Sequence, residues 1–216
     1  MWRVLRRQPA APGALAAFAL LLPGPVAAER VVLAPSGLVA APSSASVEAA
    51  FRDRSTSQRI GWLTLGAPSS DLGLEIEAED VDMARRRTDL SAQFSFTGNA
   101  LVDVAPTLTC GVRDALNSGR FRRSYYVAAG KAFGLSQSQE RLVRRLEVHA
   151  GLGSGRMEGP FVGVRARLAL GPVVSAEYVR RSFNASAALP ILRGVEVRAY
   201  TLDGDLYWGA RVSFAR

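Results

Sequence analysis

"FVGVRARLALGPVVSAEYVRR" occupies positions 161–181, and its apolar residues fall on every second position on both sides of a Gly-Pro. Val162, Val164, Ala166, Leu168 and Leu170 share one parity, with Arg165 and Arg167 between them; after the turn Val174, Ala176 and Tyr178 alternate with Ser175 and Glu177. A period of two places alternate side chains on opposite faces of a strand, so this stretch reads as a hairpin with one apolar and one charged face. Which face meets water decides whether the chain is a soluble sheet protein or a barrel in lipid.

The same pattern runs through most of the chain. "ASVEAAFRD" (45–53) sets Val47, Ala49 and Phe51 against Ser46, Glu48 and Arg52, and "LGLEIEAED" (72–80) sets Leu74 and Ile76 against Glu75 and Glu77. "DLSAQFSFTG" (89–98), "PTLTCGVRD" (106–114) and "DLYWGARVSF" (205–214) repeat it. In the segment around His149, Leu146, Val148, Ala150 and Leu152 oppose Arg145, Glu147 and His149. Turn signals such as "LNSGRF" (116–121), "GSGRMEG" (153–159) and "LDGD" (202–205) separate the strands, while 68–71 and 82–88 read as exposed loops. The expectation is an all-β, antiparallel, up-and-down barrel of about twelve strands, ten being the alternative count, since links this short hold no crossover helices.

The amino end has a different character. Arg3, Arg6 and Arg7 precede the apolar run "ALAAFALLLPGPV" and the small residues Val26-Ala27-Ala28, the pattern of a secretory signal peptide cleaved after Ala28. Pro23 and Pro25 end the run short of the roughly 20 residues a helical anchor needs. The expected organisation is a signal peptide over 1–28 and one barrel domain over 29–216. Loss of three arginines lowers the formal net charge from +8 to +5. The remaining positive charge is scattered arginine with Lys131 the only lysine, which does not form a nucleic-acid footprint. One cysteine, Cys110, and one histidine, His149, exclude an internal disulfide and give no metal-ligand spacing.

Three features favour an outward apolar face. Strands near ten residues match the length needed to cross a bilayer at a tilt, about 9–11 residues, rather than the shorter soluble average. The polar parity mixes both charge signs with Gly, Ser and Thr, as suits a crowded lumen. Aromatic residues at strand ends, Tyr125, Tyr126, Phe133, Phe161, Tyr207 and Phe214, would form interfacial girdles. The lumen-lining residues expected on this phase are Glu75, Glu77, Arg113, Arg145, Glu147, His149, Arg165, Arg167, Glu177 and Arg211.

Particular stretches also resemble the YjbH-like family of Gram-negative outer-membrane proteins. They are "SGLVAAPSSASVEAAFRD" (36–53), "PTLTCGVRDALNSGRFRRSYYVAAGKAFG" (106–134), and "GLGSGRMEGPFVGV" with "SAEYVRRSFNASAAL" (within 151–188). Members are often much longer, and here Ala215-Arg216 follow the Phe214 on which many such barrels would end. The resemblance implies an outer-membrane, non-enzymatic role accessory to exopolysaccharide production, export or surface retention. The implied partners are outer-membrane lipid and exopolysaccharide or its export machinery. No catalytic or cofactor residues carry over, and the Arg113-Asp114 pair reads as structural. Two other readings compete: a soluble exported barrel holding a small apolar ligand, and a lipid-modifying barrel enzyme depending on His149 with a rim serine.

Overall fold

In the computed structural model the described residues are 30–53, 55–67, 72–80, 86–97, 103–118, 123–134 and 142–215; side chains at 55–57, 73, 75–80, 86–87 and 215 are not described. Among the described residues, twelve antiparallel strands close into one barrel, each pairing with its chain neighbours and the first with the last. They are β1 (Ser44–Arg52), β2 (Ser55–Gly66), β3 (Leu72–Asp80), β4 (Arg86–Ser95), β5 (Thr107–Arg113), β6 (Ser124–Gly134), β7 (Val143–Gly153), β8 (Gly159–Leu168), β9 (Val173–Val179), β10 (Ser182–Leu192), β11 (Val195–Leu202) and β12 (Asp205–Ala215). The expected twelve-stranded meander is the observed fold. The strand following 82–88 starts earlier than expected, at Arg86. There the register sets Arg86 against Asp80 and Arg87 against Glu79, so the backbone ladder extends into the stretch read as a loop.

The opening hairpin answers its own question. Val164 stands in register with Val148 on β7 and Ala176 on β9, while Arg165 stands with Glu147 and Ser175. The valine row faces out and the arginine row faces in: Val162 is 49% exposed, whereas Glu177 is 2% exposed. The same holds around the wall. Val47, Phe94, Leu108, Val127, Leu152, Phe183, Val197 and Trp208 are exposed, and Ser46, Glu48, Gln93, Thr109, His149, Asn184, Arg198 and Arg211 are buried. A soluble barrel would bury the first set and expose the second. This inverted polarity is that of a transmembrane β-barrel, with an apolar belt outside and polar groups inside.

Twelve strands enclose more space than side chains alone fill in the smallest barrels. Here residues 30–41, which precede β1, fold back into the lumen and occupy it. Val31, Val32, Ala34, Leu38, Val39 and Ala40 are all at most 3% exposed. Three of the aromatics expected in the outer girdles take part in this packing. Tyr126, Phe161 and Tyr207 face inward, where Phe161 and Tyr126 surround Ala34 and Tyr207 joins Trp62 and Tyr200 around Val31 and Val32. Their positions near strand ends suggested an interface, but they stand on the inward parity, and the apolar segment supplies the partner that an empty lumen would lack. Tyr125, Phe133 and Phe214 do face outward.

Candidate functional site: the occupied lumen

The lumen holds residues 30–41 by two kinds of contact. In the first, the chain turns tightly at 31–34, where the Val31 N–H donates to the Ala34 carbonyl at 2.9 Å. The next three amides, of Val32, Leu33 and Ala34, then converge on the carboxylate of Glu177 at 2.8–3.0 Å. Successive backbone N–H groups forming a concavity around an anion are a familiar way of binding negative charge with neutral dipoles. Asn184 on the next strand donates its Nδ2 to Glu177 Oε1 at 2.9 Å and accepts the Asp203 N–H with Oδ1. Farther along, Gln93 donates to the carbonyls of Ser36 and Leu38, Thr107 donates to the Gly37 carbonyl, and the Gly37 N–H donates to Nδ1 of His149 at 3.1 Å. A segment outside any sheet carries backbone groups that must all be satisfied once buried, and the wall satisfies them in this way.

The second kind is ionic. Arg30 donates to Glu48 Oε2 at 3.0 Å and lies over the Trp62 ring with its guanidinium carbon 3.9 Å from the centroid. Arg198 donates to the same oxygen at 2.8 Å, and Arg211 donates to Ser46 beside it. Arg165 donates to the Arg30 carbonyl and lies 3.6 Å from Glu147, which also accepts from Arg145 Nε at 2.8 Å. Arg145 extends to Asp103 at 3.3 Å.

Of the expected lumen residues, Arg113, His149, Glu177 and Arg211 are buried inside the wall, and Glu147 and Arg165 join them with side chains 12% and 13% exposed. Arg145 is more open, 39% exposed, and Arg167 lines the inner wall of the mouth near the β8–β9 turn. Glu75 and Glu77 stand in register with inward Thr64 and Trp62; their side chains lie outside the described residues. Arg113 and Asp114 are both buried, and Asp114 accepts the Ser118 N–H at 2.7 Å, closing the end of β5.

His149 has no exposed surface, and its Nδ1 already accepts the Gly37 amide. It is therefore a support for residues 30–41, sealed from the lipid-facing rim where a lipid-modifying enzyme would need it. Sequence reasoning missed Glu48, Trp62, Gln93, Asn184, Arg198 and Tyr200 as site residues. It also assigned no lumen role to residues 30–41. The available signal was two short apolar clusters, Val31–Leu33 and Leu38–Ala41, that lack strand alternation.

No family model matches the chain, and no curated protein matches its sequence. Among solved structures it is similar to the KdgM porin, at 10% identity and a TM-score of 0.49 over 80% of this chain and 99% of that one. It is also similar to the KdgM porin in complex with disordered oligogalacturonate, at 8% identity and 0.48, over 80% and 99%. A triple mutant of the Rhodopseudomonas blastica porin is similar at 14% identity and 0.34, over 73% of this chain and 56% of that one.

Proposed function

We propose that this chain is a non-enzymatic outer-membrane β-barrel of the YjbH type, closed by its own residues 30–41, that assists exopolysaccharide production, export or surface retention. One observation carries the membrane placement: large apolar side chains stand exposed around the wall while the charged ones are buried inside it. An unpaired arginine in the lipid belt costs about 2–4 kcal/mol at mid-membrane in such barrels, so the phase has only one stable orientation. The signal-peptide pattern over 1–28 supports export, and the stretches at 36–53, 106–134 and 151–188 support the polysaccharide role. The sealed position of His149 supports a structural rather than catalytic barrel.

The membrane reading is checked by fractionation and by heat-modifiable migration in gels. The folded form is expected with the outer membrane, and recovery in the soluble periplasm would overturn it. Val164→Arg is expected to abolish the heat-modifiable form, whereas Arg165→Ser retains it; the reverse ranking would make the apolar face the inner one. The polysaccharide role predicts less surface polysaccharide when the gene is deleted, measured by stain retention, and unchanged levels would remove it.

A further inference from the structure

The tip of the lumen segment, residues 30–32, covers a patch of wall whose polar groups it leaves unsatisfied. Trp62 and Tyr200 stand there with ring centroids 6.2 Å apart; Arg30 lies over the first ring, and Val31 and Val32 join both in one apolar cluster. Arg198 shares Glu48 Oε2 with Arg30 and holds its guanidinium carbon 5.1 Å from the centre of the Tyr200 ring, while Arg211 stands in register with Glu48. These five wall residues, Glu48, Trp62, Arg198, Tyr200 and Arg211, are each at most 7% exposed. Yet Glu48 Oε1, Trp62 Nε1, the Tyr200 hydroxyl and the Nε atoms of Arg198 and Arg211 make no hydrogen bond to any described group. Buried polar atoms are ordinarily paired, so five orphans around one spot point to an occupant other than two valines.

The segment is built so that it can leave. The twelve strands close the wall by pairing with one another, and none pairs with residues 30–41. The groups that hold the tip keep wall partners without it: Glu48 keeps Arg198, and Glu177 keeps Asn184. With Arg30 gone, Arg198 and Arg211 face Glu48 and Glu196, the latter in register with Arg211, so two cations stand against two carboxylates. Arg165 has Glu147 and Arg52 has Asp205 in ion pairs of their own. The uncovered patch is therefore electrically balanced and calls for a neutral ligand.

We propose that this patch is a subsite for a neutral sugar ring, and that the tip of residues 30–41 and the sugar occupy it in turn. The C–H face of a pyranose carries slight positive charge and lies against the negative faces of Trp62 and Tyr200. Its hydroxyls both donate and accept, so one ring can serve the orphaned Glu48 oxygen and the orphaned N–H groups together. An anionic ring would unbalance the pairs, and a simple hydrocarbon would leave the same atoms orphaned. The site deepens the polysaccharide reading above and rests on it for the cellular role; the preference for a neutral ring comes from the aromatic faces, the orphaned atoms and the charge balance.

The test is titration calorimetry of the full chain in detergent micelles with cellotetraose, maltotetraose and sorbitol, the last offering hydroxyls without a ring face. At least one tetrasaccharide is expected to bind, with sorbitol at least about tenfold weaker, a difference of about 1.4 kcal/mol. Because the closed tip reduces the fraction of binding-competent barrels, Glu177→Gln, which loosens the tip from outside the patch, is expected to raise the apparent affinity at least about tenfold. In that background Trp62→Leu should abolish binding and Tyr200→Phe, which removes one orphaned hydroxyl and keeps the ring, should weaken it severalfold, both with heat-modifiable migration intact. Bound tetrasaccharide should also increase protease cleavage within 30–41. Absence of binding by both tetrasaccharides, equal binding of sorbitol, unchanged affinity in Glu177→Gln or unchanged cleavage on binding would each overturn the proposal. Should Trp62→Leu fail to fold, full affinity in Tyr200→Phe would do the same. Tetrasaccharide binding together with unchanged surface polysaccharide in the deletion strain would keep the subsite and remove the cellular role.

Discussion

Glu177 and Glu48 are both buried carboxylates, four strands apart around the wall, and both hold residues 30–41, yet they do so by different physics. Glu177 is surrounded by neutral donors, three consecutive backbone amides and the Asn184 side chain. Glu48 is surrounded by cations, with Arg30 and Arg198 on one of its oxygens and Arg211 close by on Ser46. The first arrangement reads the shape of the segment, because only a turned backbone offers three amides to one point. The second balances charge, because Arg198 and Arg211 belong to the wall and need an anion whether or not the segment is in place. Position and charge are thus held by separate groups.

The sharpest way to break this comparison is to neutralise each carboxylate in turn. Glu48→Gln leaves buried arginines without their counter-charge, and removing one partner of a buried ion pair costs about 3–5 kcal/mol. The expected result is a large loss of stability in denaturant unfolding of the micelle-bound barrel. Glu177→Gln keeps one carbonyl oxygen but exchanges charged for neutral hydrogen bonds, worth about 1.5–3 kcal/mol. Its expected effect is a smaller loss of stability with a larger gain in protease cleavage within 30–41. Equal cleavage in both variants would merge the two roles into one.

A smaller perturbation acts on the segment alone. Gly37 passes the wall so closely that a Cβ there would lie 2.0 Å from the Gly130 backbone nitrogen. Neither partner is a side-chain tip that can swing aside, so Gly37→Ala must move the segment, at a cost of about 1–3 kcal/mol typical of overpacking. Single-channel recording in planar bilayers is expected to show more frequent openings for this variant than for the unaltered barrel. Conductance indistinguishable from the unaltered barrel would mean that the segment shifts without clearing the lumen.

The wall was legible in the sequence because its rule is local: alternation sets the face, and hairpin links set antiparallel neighbours. Val164 and Arg165 could be assigned to opposite faces from their phase alone. The filling was not legible, because residues 30–41 obey no period and their partners come from across the barrel. The bond from Gly37 to His149 joins positions 112 residues apart, and that from Val32 to Glu177 joins positions 145 apart. The aromatics show the same limit. Tyr126, Phe161 and Tyr207 sit at strand ends like girdle residues, yet they share the inward parity of their strands, and what the sequence did not show is that Val31–Ala34 supplies the apolar partners they meet there.

The comparison extends to two hairpins at the same mouth, where the expected effect is smallest and opposite in sign. The β11–β12 turn uses Asp203-Gly204, whose chemistry suits positive φ, and the β9–β10 turn places Arg180-Arg181 in the same backbone region. Replacing Arg180→Asn and Arg181→Gly together relieves strain at two positions, and should stabilise the barrel by about 1 kcal/mol. Denaturant unfolding of the micelle-bound barrel is expected to show this gain. A destabilised variant would mean that the guanidinium groups contribute more to the fold than their backbone costs.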